Sequence, residues 1–207
     1  MSSKKFLYGK GTLTSVSALK ISNDELKCEI GNEEIKKINT SRENIKNVLE
    51  SNQMIYGINT GFGALCNTII SNKDSNLLQE NLLKSHAVGV GPNVPTEVSK
   101  LMLIIKVHSL CMGFSGIRLE VIKRICWHIE NDIIPIVPSQ GSVGASGDLA
   151  PLAHLFLPLI GEGKLLYKGR ELETNKVLKK EKKSPLFLKE KEGLALINGT
   201  QFISAYT

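Results

Sequence analysis

The chain has 207 residues, room for one domain or one and a half, and its 42% apolar and 22% charged residues are the balance of an ordinary globular protein. The most apolar stretch, Leu152 to Ile160, is interrupted by His154 and Pro158 and is far too short to span a bilayer, which argues against a membrane protein. A formal charge of +6 would suit a nucleic-acid binder, but the lysines are scattered, and the denser run from Lys176 to Lys191 is interleaved with Glu181 and Glu190, so it reads as a solvated face.

In chain order, residues 1–41 mix short alternating segments with polar loops, and Thr12 to Ile21 could hold a short strand. Ser41 is placed to cap a helix carrying Ile45, Val48 and Leu49. Asn52 to Gly63 holds Gly57, Gly61 and Gly63 and reads as a loop. Four helices follow. The first runs from about Asp74 to Val88, with Leu77, Leu78, Leu82 and Leu83 on one side. The second runs from Thr96, its expected cap, to Met112; it is apolar nearly all round, which implies burial. Gly113-Phe-Ser-Gly116 breaks it, and the third helix spans Ile117 to about Asn131. The fourth runs from Asp148 to about Ile160, with Pro151 in its first turn, where a missing N–H costs little. Glu192 to Thr207 reads as one further helix that reaches Thr207 without a stop signal, which suggests a fold that continues.

Cys28, Cys66, Cys111 and Cys126 make no CxxC pair and no disulfide framework, so a zinc knuckle is disfavoured and a reduced, cytoplasmic protein is expected.

The densest run of small residues is Gly141-Ser-Val-Gly-Ala-Ser-Gly-Asp148. A phosphate loop would need Lys followed by Ser or Thr after its last glycine, where Asp148 would repel phosphate. The glycine spacing is wrong for a dinucleotide fingerprint. A nucleophile elbow needs GxSxG, and here Gly147 directly follows Ser146. Two readings survive. One is a tight turn into a capped helix. The other is chemical: a compressed Ala-Ser-Gly can cyclise, because the Gly147 amide has no side chain to shield it from the carbonyl carbon of Ala145. Loss of one water closes a five-membered ring, and loss of the Ser146 hydroxyl as a second leaves an exocyclic methylidene, a strong electrophile. A helix starting at Asp148 would favour negative charge developing there.

The segment Gly141 to Ala153 resembles the signature of the aromatic amino acid lyases, the family that carries a methylidene-imidazolone prosthetic group. Tyr56-Gly-Ile-Asn-Thr-Gly-Phe-Gly63, Gly113-Phe-Ser-Gly-Ile-Arg118 and Glu192-Gly-Leu-Ala-Leu-Ile-Asn-Gly-Thr200 agree with it in the expected order, so the resemblance covers residues 44–207. It implies a mainly α fold, the N-terminal part of the fumarase/aspartase-like helical lyase fold, with a few short strands and a Gly-rich prosthetic-group loop. Residues 1–41 would be a variable N-terminal segment, 42–191 the prosthetic-group-bearing domain and 192–207 the start of the central helical bundle. Ala145, Ser146 and Gly147 would form 4-methylidene-imidazole-5-one, without a metal or a dissociable cofactor. Tyr56 would take the β-proton of the substrate, although a phenol of pKa near 10 needs activation for that. Asn198 would lie beside the prosthetic group and the substrate amine, with Gly63 and Asp148 in support. His86, in Ser85-His-Ala-Val-Gly-Val-Gly91, resembles the histidine ammonia-lyases, where this residue faces the substrate ring, so L-histidine is favoured over tyrosine or phenylalanine. The other histidines, His108, His128 and His154, are expected in packing or at the surface, and Arg118 in tying down the turn after the second helix. The resemblance also implies a homotetramer. Tyrosine ammonia-lyase, an aminomutase on the same electrophile and an inactive partner of longer subunits are the alternatives.

Overall fold

A computed structural model describes residues 5–51, 55, 57, 58, 60, 72–144 and 147–207, with 72–75 described by their backbone alone. Among them are nine α-helices and seven short strands. The chain begins β1 (Phe6–Tyr8), α1 (Ser15–Ser22), β2 (Cys28–Ile30), with β1 and β2 pairing in parallel. Parallel neighbours need a crossover, and α1 supplies it. The strand expected over Thr12–Ile21 is therefore a helix. Thr14 and Ser17 form a reciprocal capping box, Ser17 N donating to Thr14 Oγ1 at 3.2 Å and Thr14 N to Ser17 Oγ at 2.9 Å. Ala18, Ile21 and Ser22 then face inward at helical spacing.

The next helix, α2, spans Asn32–Glu50, nine residues ahead of the expected cap. Glu33 and Glu34 occupy its first turn, as the helix dipole favours, and Glu34, Ile38, Arg42 and Ile45 form its buried stripe. Ser41 lies inside the helix, and its hydroxyl accepts from Gly116 N at 3.0 Å. α2 is thus continuous across residues 41 and 42.

After α3 (Asn72–His86) and β3 (Val90–Asn93) comes α4 (Thr96–Cys111), the spine of the molecule. Pro95, not Thr96, takes the cap position of α4, with no side-chain bond. As its all-round apolar pattern requires, α4 is enclosed: Met102, Leu103, Ile104, Val107, Leu110 and Cys111 are all buried. It packs against α1, α2, α5 (Leu119–Glu130) and α9 (Gln201–Tyr206). A second group joins α3 to α6 (Leu149–Phe156) and α8 (Glu192–Ile197). On α3 the inward residues are Gln79, Leu82 and Leu83, whereas Leu77, expected on that side, is exposed. The fourth expected helix is shorter than its pattern: Pro158 sits in a 3-10 turn, Leu157–Ile160, that follows α6.

β4 (Ile134–Pro135), β6 (Lys164–Tyr167) and β7 (Arg170–Glu173) form an antiparallel sheet, with α7 (Thr174–Lys180) beside it. A small core of Ile133, Leu165, Tyr167 and Val177 lies beneath. Lys176, Lys179, Lys180, Lys182 and Lys183 are exposed, the solvated face expected of the basic run. β3 pairs antiparallel with β5 (Pro138–Gln140), the strand that leads into the glycine-rich loop.

Candidate active site

Tyr56, Gly63, Ala145 and Ser146 lie outside the described residues, as does most of the loop reading of Asn52–Gly63. Of the remaining expected site residues, Gly147, Asp148 and Asn198 come together. The single helix expected over Glu192–Thr207 is interrupted at Asn198-Gly199-Thr200, and α9 follows as a separate helix. Gly199 forms a parallel bridge with Gly147, and Asp148 N donates to Gly199 O at 2.8 Å. Gly147 has φ +88°, and a Cβ there would collide with the Gly199 carbonyl. Only glycine fits such a position. The approach also leaves the Gly147 nitrogen without a neighbouring Cβ, the condition that ring closure through this amide sets.

The Asp148 carboxylate does not cap its own helix. It stands at the cap position of α6, but the third residue of α6 is Pro151, which has no N–H to offer. Instead, Oδ2 accepts from Phe202 N at 3.0 Å and Ile203 N at 3.2 Å, the first-turn amides of α9. Oδ1 accepts from Ser142 Oγ at 3.2 Å. Asp148 is fully buried, so the carboxylate welds the end of the glycine-rich loop to α9.

Asn198 is exposed, and its N–H donates to Leu194 O at 3.0 Å. Its carbonyl accepts from Lys106 Nζ, on α4, at 2.9 Å.

His86 is the last residue of α3. Its Nδ1 lies 2.8 Å from the Leu82 carbonyl, which can only accept. Nδ1 therefore carries the proton, and in the neutral ring Nε2 is an acceptor. The segment after it runs along the glycine-rich loop. Val90 pairs with Gln140, and a Cβ on Gly141 would come within 3.0 Å of Gly89 Cα. Gly89 N donates to His154 Nε2, on α6, at 2.9 Å. So His86 belongs to the elements framing the loop, although no hydrogen bond joins it to Gly147 or Asn198.

Framing residues that the sequence reading did not single out include Gln79, whose Oε1 accepts from Gly193 N at 3.0 Å and Leu194 N at 3.4 Å and so caps α8 from α3. Glu192, fully buried, accepts from Arg118 Nε at 2.8 Å, Arg118 Nη2 at 2.9 Å, Arg118 N at 3.0 Å and Lys189 N at 2.8 Å. Arg118, expected to tie down the turn after α4, instead joins the start of α5 to Phe187 O and Glu192, while Arg42 and Ser41 bond Gly116 of that turn. A lysine set between Ile105 and Val107, in a helix apolar nearly all round, was the available signal for Lys106. Gln79 and Glu192 sit in polar surroundings and gave none. His108 Nδ1 accepts from Gly9 N at 3.2 Å, and His128 Nδ1 donates to Ile133 O at 2.8 Å, packing roles as expected.

A cleft of about 830 Å³ between α1, α4 and α9 has His108 in its lining but none of His86, Gly147, Asp148 and Asn198. Among the described residues no group of three or more His, Cys, Asp and Glu is arranged to hold a metal ion.

The family model for aromatic amino acid lyases matches residues 13–207. The chain belongs to that family. The match begins well before residue 44, so the family's sequence pattern includes α1 and α2 as well as the segments quoted above. Relatives include the histidine ammonia-lyase of Shewanella sediminis, 47% identical over 195 residues, which are 94% of this chain and 38% of that protein. The histidine ammonia-lyase of Legionella pneumophila is 42% identical over 98% of this chain and 40% of its own length. Among solved structures, tyrosine aminomutase from Streptomyces globisporus superposes with a TM-score of 0.90 at 34% identity, covering 98% of this chain and 38% of that one. Histidine ammonia-lyase from Trypanosoma cruzi gives 0.87 at 36%, covering 98% and 39%. The chain spans about 40% of the length of the relatives it matches and shares the helical fold of these solved structures.

Proposed function

We propose that the protein eliminates ammonia from L-histidine to give trans-urocanate, using an electrophile made from its own Ala145, Ser146 and Gly147. The observation that carries this is the seat of Gly147: a glycine at φ +88°, backed against Gly199, with the buried Asp148 locking the chain just beyond it. The group would be held through residues 145–147, and when present it supplies an electron-poor methylidene that makes the substrate's amino group a leaving group.

The remaining chemistry belongs to ordinary side chains. Tyr56 takes the β-proton, Asn198 offers its carboxamide beside the substrate amine, and His86 presents Nε2 to the substrate ring. With Nδ1–H committed to Leu82, Nε2 can accept the N–H of an imidazole, a bond that a phenyl ring cannot make. The enzyme is proposed to act as a cytoplasmic homotetramer. The second reading is tyrosine as substrate of a lyase or aminomutase, supported by the tyrosine aminomutase likeness at TM-score 0.90. A phenol O–H would donate to the same Nε2.

Mass spectrometry of the peptide holding residues 145–147 tests the electrophile, and ultraviolet absorbance with histidine or tyrosine tests the substrate. Loss of two waters from the peptide and release of urocanate are expected. A peptide of unmodified mass from folded protein would refute self-processing, and product from tyrosine alone would move the assignment to the second reading.

A further inference from the structure

In the middle of α4 stands a buried ionisable group that the proposed reaction does not use. Lys106 is 2% exposed, among Met102, Leu103 and Val107. A lysine here loses its hydration, and burial lowers its pKa to about 7. An apolar side chain of similar length would be the cheaper occupant. What the amine gains is one acceptor, the Asn198 carbonyl at 2.9 Å; among the described residues no carboxylate pairs with it.

That bond completes a closed set of backbone restraints. The Asn198 N–H is held by Leu194 O, and the Asn198 carbonyl by Lys106. Both peptide planes flanking Cα198 are therefore fixed, and with them the direction in which the side chain leaves the backbone. The next residue, Gly199, is bridged to Gly147, and its carbonyl accepts from Asp148 N. The Asn198 carboxamide itself makes no hydrogen bond to a described residue, so its direction rests on these backbone anchors. Lys106 reaches the turn from α4, Asp148 from the glycine-rich loop, and Leu194 from α8.

We propose that Lys106 is a positioning residue for Asn198: its amine, reaching across from α4, holds the Asn198 carbonyl and so aims the carboxamide at the ground beside Gly147. This rests on Asn198 belonging to the site.

Amide hydrogen exchange on the 207-residue chain tests it. The amides to watch are Asp148, Phe202 and Ile203, whose bonds cross the clamp, with Ile122 and Ile125 in α5 as internal controls. Lys106→Met keeps length and packing and removes the donor. Exchange at the three clamp amides should rise roughly ten- to a hundredfold, the loss expected for one charge-assisted bond, while the α5 amides keep their protection. Lys106→Arg, which restores a cationic donor, should return most of it. If Lys106→Met does not fold, Lys106→Gln, with a shorter neutral donor, should show the same localised loss. Unchanged exchange at the clamp, or a uniform rise that includes α5, would overturn the proposal; the first would show the bond to be idle and the second a packing role only. The mass of the 145–147 peptide, taken from the same samples, reports separately on self-processing: full mass in the unsubstituted chain sinks that reading and leaves the exchange result to stand by itself.

Discussion

Replacing Asp148 by alanine tests whether this carboxylate joins the glycine-rich loop to α9. The side chain is fully buried and accepts from Phe202 N, Ile203 N and Ser142 Oγ. Losing a helix cap costs about 1 kcal/mol, and each hydrogen bond to a charged group about 1.5–3 kcal/mol. The three bonds share one carboxylate and do not add, so about 3 kcal/mol is expected for Asp148→Ala. In a protein of this size 1 kcal/mol moves the melting temperature by about 2–4 °C, which gives a fall of roughly 6–12 °C. Asp148→Asn keeps one acceptor oxygen and the shape, and should lose about half as much. Thermal melting followed by circular dichroism reads the total, and amide exchange at Phe202 and Ile203 locates it. A fall of under about 2 °C, or lost protection in α6 with α9 intact, would show that the carboxylate serves its own helix and would refute the reasoning.

Two further outcomes follow from the histidines. His86→Leu should lower the ratio of turnover on histidine to turnover on phenylalanine by about tenfold, since a single neutral hydrogen bond is worth about 1 kcal/mol and the phenyl ring gains an apolar neighbour; an unchanged ratio would make His86 structural. His128 is buried, with Nδ1 on Ile133 O and, among the described residues, no partner for Nε2, and burial lowers its pKa from 6.5 to about 4. The unfolded chain thus takes up the proton first. The stability of the neutral, buried form is complete above pH 6.5 and is lost as pH falls to about 4, by an amount on the order of 3 kcal/mol. Melting temperatures of the chain and of His128→Gln, compared between pH 7 and pH 4.5, should draw together or cross as the pH falls, and parallel curves would contradict this.

The features legible from sequence are those whose physics is local or periodic. The run Gly141–Ala153 carried the family resemblance through the order of consecutive residues. The burial of α4 followed from a helix with no polar face, and the break after it from Gly113 and Gly116. Other readings failed where two local signals competed. Thr12–Ile21 alternates well enough for a strand, yet the reciprocal Thr14–Ser17 cap and the inward Ala18, Ile21 and Ser22 make it α1. Ser41 looked like a cap because Ser caps well, but the buried stripe of α2 had already begun at Glu34.

By itself, then, the sequence determined the family and the enclosure of α4, since each depends on neighbours in the chain or on a repeating spacing. The tertiary structure decided who holds the site together. Asp148 caps a helix 54 residues onward, Lys106 reaches a carbonyl 92 residues away, and Gly199 breaks an apolar pattern that would otherwise run on, because Gly147 must lie against it. A buried carboxylate or amine needs a partner, but its own neighbourhood in sequence does not say which distant amide or carbonyl the packing of α4, α6, α8 and α9 will bring to it.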